Sequence, residues 1–132
     1  MNQRVLLAGA SLLVAAPLLA GCGLLGDPDL VIYNAQHEQL LDEIIPMFEE
    51  ESGLDVELRS GKDLEMANQI VEEGEDSPAD VFLTENSPAM SIVDNAGLFA
   101  ELPEAATATI PDEYVPADRT WTGFLARSTV AM

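Results

Sequence analysis

The chain has 132 residues, which is enough for one small domain with a hydrophobic core. All 24 acidic residues follow residue 21, and only four basic residues stand against them there, so this part carries a net charge of −20. Such a surface repels nucleic acid and anionic lipid and attracts cations, so we expect no nucleic-acid partner. Charge alone does not identify a metal protein, because solubility or adaptation to salt explains most of these carboxylates.

The N-terminal segment has the layout of a secretory signal. Arg4 supplies a positive start, and residues 5–20 are apolar apart from Ser11, a run too short for a ready transmembrane helix. Residues 19–22 (Leu-Ala-Gly-Cys) resemble the bacterial lipobox, although an ordinary signal peptide that happens to hold a cysteine is the alternative. Cys22 is the only cysteine of the chain, so it has no intramolecular disulfide partner. We therefore predict a signal peptide over 1–21, lipidation of Cys22 on the outer face of the cell membrane, and a lipidated tether over 22–28.

The tether is followed by strand and helix patterns in alternation. Short apolar or alternating runs predict strands at 30–33, 54–58 and 79–83. Apolar residues at helical spacing predict one helix that ends at Gly53 and a second that ends at Gly74. A third helix is predicted to begin with Ser87 as its N-cap and to run to about Asn95. Pro46 lies within the first helical pattern and should kink or interrupt it.

Alternating strands and helices predict right-handed crossovers and a parallel sheet, which is an α/β fold. From 101 to 120 three prolines interrupt the pattern, and we expect mostly loop. Residues 121–132 resume as an apolar, strand-like segment. We therefore assign residues 29–132 to one partial α/β domain.

Two potential metal ligands follow the first and third strands. In a parallel sheet, ligands bind beyond the carboxyl ends of the strands where the strand order reverses. If the order is 2-1-3, His37 and Glu85 lie on opposite sides of that crevice, and imidazole and carboxylate can both bind a metal. The spacing is weak evidence, because His37 would also serve as a helix cap or surface residue, and Glu85 as an acid in the first turn of a helix.

The sequence offers little support for an enzyme. It contains no HExxH, no paired CxxC, no GxGxxG and no P-loop pattern. A single histidine can serve only one site, so the serines lack the partners of a catalytic triad. We therefore expect a binding protein.

Several motifs resemble the ferric-iron-binding proteins of ABC importers. They occur in order and at the family's spacing over essentially all of residues 29–132. The matching runs are Tyr33-Asn34-Ala35-Gln36-His37, Leu58-Arg59-Ser60-Gly61, Gln69 to Gly74, Ser77 to Phe82, Thr84 to Ala89, Ala96 to Phe99, Leu102-Pro103 and Trp121 to Arg127.

This resemblance implies a fold, a function and a set of site residues. The fold is the N-terminal, parallel-sheet lobe of a type II periplasmic-binding-protein-like domain. The implied function is capture of ferric iron outside the membrane by a monomeric lipoprotein that delivers it to an ABC permease. Matching positions make His37 and Glu85 iron ligands, and Asn86 a weaker candidate for holding the synergistic anion beside the metal. Ferric ion is a hard cation, so anionic oxygen ligands suit it.

The chain departs from the family in one large respect. The family's proteins have two lobes, and two adjacent tyrosines in the second lobe bind the iron. Here the two tyrosines, Tyr33 and Tyr114, are far apart in the sequence. We therefore expect the chain to be a fragment that by itself binds iron weakly if at all.

Two alternatives remain open. The same fold could bind another small solute, such as a polyamine or an organic anion, although such a solute has no need of an imidazole beside a carboxylate. The second alternative is a lipid-anchored interaction domain without a ligand.

Overall fold

The computed structural model describes residues 26–125. The predicted signal segment 1–21, the predicted lipidation site Cys22 and the end of the last predicted strand therefore lie outside the described residues. The strands are β1 (Leu30–Ala35), β2 (Val56–Ser60) and β3 (Val81–Thr84). The helices are α1 (Glu38–Ser52), α2 (Asp63–Glu73), α3 (Ser87–Asn95) and α4 (Glu104–Thr107), with 3-10 turns at Gly74–Asp76 and Asp112–Tyr114. In this part of the chain, no helix is both long and apolar enough to cross a membrane.

The central strand β1 pairs in parallel with both of its neighbours, which gives the order β2-β1-β3. In register, Ile32 lies between Leu58 on one side and Val81 on the other. The predicted α/β class is confirmed, and the strand order is the 2-1-3 order on which the expected placement of His37 and Glu85 depends. As a result, the loops that follow β1 and β3 emerge side by side at the carboxyl edge of the sheet.

The core lies between one face of β1 and the helices α2 and α3. Alternate residues of a strand point to opposite faces, and one set from β1 is buried against apolar residues of both helices. The buried cluster consists of Val31, Tyr33, Ala35, Met66, Ala67, Ile70, Ala89 and Val93. On α1 only Leu41 is buried, whereas Ile44 and Met47 are 44% and 69% exposed. The sheet is therefore anchored mainly through α2 and α3.

The helix boundaries follow the predicted stop signals closely. Gly53 ends α1 with a φ of 73°, a left-handed conformation that costs glycine least, and its N–H donates to the Glu49 carbonyl at 2.8 Å. The predicted interruption at Pro46 is wrong, since α1 continues through it. Asn86, and not Ser87, occupies the N-cap position of α3, and Ser87 begins the helix beside Pro88.

Two predicted strand boundaries are wrong. Residues 54 and 55 precede β2, because the backbone N–H of Asp55 donates to the Asp29 side chain at 3.0 Å and not to a neighbouring strand. Residues 121–125 form no strand. The N–H of Gly123 donates to the Tyr114 carbonyl at 2.9 Å, which is an isolated bond and not the start of a ladder. The stretch from 101 to 120 is mostly loop, as predicted, apart from α4 and one 3-10 turn.

A polar network ties the centre of the sheet to the end of α2. Tyr33 is fully buried, and its hydroxyl donates to the Glu73 carboxylate at 2.9 Å and accepts from Gln69 at 3.2 Å and from Arg59 at 3.3 Å. Ser77 also donates to Glu73, at 2.7 Å. Burial and the bond to Glu73 raise the pKa of Tyr33 above 10.0.

The Glu73 carboxylate is held in its ionised form. Burial alone raises its pKa, but hydrogen bonds from Ser77, Gln69 and Tyr33 outweigh that effect and hold the pKa below the ordinary value of 4.5. Since the pKa is lowered, the ionised carboxylate stabilises the fold above about pH 4.5. That contribution is lost as the pH falls through the lower pKa of the folded state.

We expect Glu73→Gln to lower the free energy of unfolding by about 1 kcal/mol at neutral pH, because three donors lose an ionised acceptor. The difference from the wild-type chain should shrink as the pH falls below about 4, where the wild-type carboxyl is protonated as well. Urea unfolding followed by circular dichroism across this pH range measures both effects.

The matched control is Glu72→Gln, which removes the same charge from an exposed neighbour. Its effect should stay within about 0.5 kcal/mol. An effect of Glu73→Gln as small as that of the control, or one that does not change with pH, would contradict the role given to this carboxylate.

Candidate functional site

The loop after β1 is shaped by a fully buried asparagine. The side-chain oxygen of Asn34 accepts a hydrogen bond from the backbone N–H of Gln36 at 2.8 Å. This bond closes a turn of a kind that asparagine forms readily. Its amide group also donates to the hydroxyl of Ser60, at the end of β2, at 3.2 Å. Because the polar side chain is satisfied on both sides, its burial is tolerated, and the chain is directed out of the sheet towards His37.

Two further side chains join this loop to the loop after β3. Gln36 donates to the Thr84 carbonyl at 2.9 Å, across the gap between the ends of β1 and β3. Asp63, the first residue of α2, accepts from the Thr84 hydroxyl at 2.7 Å and from the Asn86 amide at 2.6 Å. The two loops are therefore held to each other and to the start of α2.

The sequence-predicted metal ligands come together at this edge. The Nε2 atom of His37 lies 3.0 Å from the Oε1 atom of Glu85. The side chain of His37 is 72% exposed, whereas that of Glu85 is 18% exposed, so the carboxylate is fixed in the wall and the imidazole faces solvent. If two ligand atoms each lie about 2.1 Å from one metal ion and the angle between the two bonds is about 90°, the ligand atoms are also about 3 Å apart.

The helix-end roles considered for these residues do not describe them, although His37 does lie at the surface. His37 occupies the N-cap position of α1, but its side chain makes no capping hydrogen bond. Glu85 precedes the N-cap Asn86, and the first turn of α3 contains no acidic residue. Their juxtaposition is thus not a by-product of helix capping.

Asn86 lies next to the pair but is already engaged. One hydrogen of its amide is donated to Asp63, at 2.6 Å. The side chain also has a second amide hydrogen, which can donate, and a carbonyl oxygen, which can accept. Asn86 could therefore contact an anion beside the metal while Asp63 fixes its position.

The pair opens into a cavity of about 500 Å³. Its walls are the two loops, the first turn of α3 and an irregular segment that includes Tyr114 and residues 121–125. Among the described residues that line it, Glu85 and Glu113 are acidic and none is lysine or arginine. The described walls therefore favour a cation over an anion.

Sequence reasoning missed the residues that position the ligands. In the sequence, Asp63 is an ordinary acidic residue at the start of a helix, and Gln36 is a polar loop residue. A single sequence does not show which loop each of these side chains contacts. The role of Asn34 could have been predicted, because an asparagine side chain often bonds the backbone N–H two residues later and so forms a turn. Within residues 26–125, no group of three or more His, Cys, Asp or Glu residues could together hold a metal ion.

Comparison with known proteins places this site in a family context. The sequence profile of the family described as "Bacterial extracellular solute-binding protein" matches residues 30–111. The chain is 47% identical to the Fe(3+)-binding periplasmic protein of Serratia marcescens, over 98% of this chain and 39% of that protein. It is 34% identical to the major ferric iron-binding protein of Neisseria gonorrhoeae, over 98% of this chain and 37% of that protein. The chain thus spans less than half the length of these relatives.

Solved structures show the same architecture. Iron-bound HitA from Pseudomonas aeruginosa superposes with a TM-score of 0.68 at 38% identity, over 71% of this chain and 31% of that one. This likeness confirms the predicted fold class, a parallel-sheet lobe of the type II periplasmic-binding-protein fold.

We expect Asp63→Ala to loosen the loop after β3. The substitution removes an acceptor from both Thr84 and Asn86, so the chain should lose about 1 kcal/mol of stability. The backbone amides of residues 84–86 should exchange with solvent faster, as measured by hydrogen exchange.

The control is Asp42→Ala, which removes an exposed carboxylate from α1. Exchange at 84–86 should be unchanged in this variant. If Asp63→Ala also leaves exchange at 84–86 unchanged, Asp63 does not hold the loop.

Proposed function

We propose that this chain, which belongs to the family of bacterial extracellular solute-binding proteins, captures ferric iron outside the cell membrane for an ABC importer. The observation that carries the proposal is the His37–Glu85 pair, at 3.0 Å, in the wall of a cavity at the carboxyl edge of the sheet. Two relatives over 30% identical bear names that state ferric iron binding, which supports the choice of ligand.

The chemistry of the cavity agrees with a hard cation as cargo. A carboxylate oxygen and an imidazole nitrogen meet in a wall whose described residues contribute acidic but no basic side chains. Ferric ion favours anionic oxygen and tolerates nitrogen. When the metal binds, the direct contact between Nε2 of His37 and the carboxylate of Glu85 is replaced by a bond from each side chain to the ion.

This lobe supplies only part of a coordination sphere. Two ligands leave most positions of a ferric ion open, so the chain alone should bind iron weakly. In the proposed mechanism the protein binds and releases its cargo without making or breaking covalent bonds, and closure of two lobes completes the site. The permease then receives the metal from the monomeric binding protein.

A synergistic anion would fill positions that the protein leaves open. Asn86 is the candidate in this lobe, because its amide keeps one donor beyond the bond to Asp63. Since the described walls lack a basic side chain, the anion would be held through the metal and through neutral donors.

The anchor proposed at Cys22 would keep the cargo near the permease. Several acyl chains on one cysteine hold a protein firmly, since each buried methylene contributes about 0.8 kcal/mol. The short tether over 22–28 then confines the metal-binding lobe to the membrane surface.

We expect the wild-type chain to quench the fluorescence of Trp121 when titrated with ferric nitrilotriacetate, because this single tryptophan lines the same cavity as the ligands. His37→Ala and Glu85→Gln should each weaken the apparent affinity at least about tenfold, or about 1.4 kcal/mol. The double variant should lose less than the sum, since both residues bind one ion.

Glu43→Gln is the charge-matched control, because it removes an exposed carboxylate from α1 without touching the cavity. If ferric iron fails to bind while spermidine or citrate does, the alternative of another small solute replaces the proposal. If none of the three binds, a ligand-free interaction domain is the better description.

Cys22→Ser should abolish anchoring, because the hydroxyl cannot form the lipid thioether. We expect incorporation of labelled palmitate into the wild-type chain, expressed in a bacterial host, and a membrane location that withstands high salt. The variant should take up no label. Labelling that persists in Cys22→Ser would place the modification elsewhere.

A further inference from the structure

The chain has two tyrosines, and the structure separates their roles. Tyr33 is fully buried, and its hydroxyl is surrounded by Glu73, Gln69 and Arg59. Burial, and then the carboxylate beside it, disfavour a phenolate and raise the pKa of Tyr33. Tyr33 is therefore not available to a metal ion in the cavity.

Tyr114 has the opposite surroundings. It is 45% exposed and lines the same cavity as His37 and Glu85. It comes from the irregular segment that forms the third wall, whereas His37 and Glu85 come from the loops after β1 and β3. Residues that carry potential metal donors thus line one cavity from three different parts of the fold.

The segment that carries Tyr114 is fastened at several points. The Thr120 hydroxyl donates to Asp94, at the end of α3, at 2.7 Å. Arg119 forms an ion pair with Glu101. The N–H of Gly123 donates to the carbonyl of Tyr114 at 2.9 Å. These contacts hold the segment against α3 and the loop that follows it, and Tyr114, the last residue of a 3-10 turn, lines the cavity.

We infer that Tyr114 is a further ligand of the metal bound by His37 and Glu85. Its phenol loses its proton to solvent as the oxygen binds ferric iron, and no electron is transferred. At neutral pH a free tyrosine, with a pKa of about 10, keeps its proton, but a bound trivalent cation reverses that preference. A phenolate is an anionic oxygen ligand of the type that a hard cation selects.

This inference rests on the proposed function and deepens it. With Tyr114, the lobe offers an imidazole nitrogen, a carboxylate oxygen and a phenolate oxygen from its own residues. Such a set gives the chain a spectroscopic signature, because a tyrosine bound to ferric iron produces a visible charge-transfer band. With Tyr33 buried, any such band from this chain is assigned to Tyr114.

The test uses the 132-residue chain loaded with ferric nitrilotriacetate. The wild-type chain should show the visible band at the iron concentration that quenches Trp121 fluorescence. Tyr114→Phe keeps the ring and removes the oxygen, so it should bind iron about tenfold more weakly and without the band. Glu43→Gln, at an exposed position of α1 outside the cavity, and Tyr33→Phe should both retain the band. Circular dichroism verifies that each variant is folded, and gallium, which gives an ultraviolet difference signal with phenolate, provides a second readout.

The outcomes separate this inference from the proposed function. If the wild-type chain quenches with iron but shows no band, or if the band persists in Tyr114→Phe, the role of Tyr114 is overturned while ferric binding stands. If the wild-type chain binds no iron in either assay, both fail. Loss of the band in Tyr114→Phe alone supports the assignment.

Discussion

The parallel pairing of β1 with both of its neighbours is the constraint on which the rest of the structure depends. Parallel strands need crossover helices, and these cover the sheet and return the chain to the same edge each time. Two loops that are 48 residues apart in sequence therefore meet, as the bond from Gln36 to the Thr84 carbonyl shows. Without this pairing, the loops that carry His37 and Glu85 would not lie side by side.

The edge of the sheet combines a fixed frame with one largely exposed side chain. Asn34 is fully buried and bonded on both sides, and Asp63 receives two short hydrogen bonds from the opposite loop. The imidazole of His37, by contrast, is largely exposed. The carboxylate of Glu85 is only 18% exposed, so the proposed metal site would join a fixed donor to one that is freer to adjust.

Much of the fold could be predicted because local signals and the global pattern agree. Glycine at 53 and 74, and the strand-helix alternation, predicted the elements and the sheet order that the structure contains. The errors occurred where a backbone group is bonded by something the local pattern does not reveal. Asp29 accepts the N–H of Asp55, so β2 begins at Val56 and not at Leu54, and Gly123 bonds to Tyr114 instead of a neighbouring strand. The pairing of His37 with Glu85 followed from topology, whereas the supporting role of Asp63 depends on side-chain directions that only three-dimensional coordinates reveal.

Helix α2 has at each of its ends a carboxylate that accepts hydrogen bonds from another part of the fold. Asp63, at its start, accepts from the loop that carries Glu85, and Glu73, at its end, accepts from the buried hydroxyl of Tyr33. An 11-residue helix is about 16 Å long, so it links the loop beside the cavity to the hydroxyl of Tyr33 in the core. A change around Glu73 that shifts the helix would therefore move Asp63 and, through its two hydrogen bonds, the loop after β3. Distant substitutions that alter cargo affinity are to be sought along this helix as well as in the cavity wall.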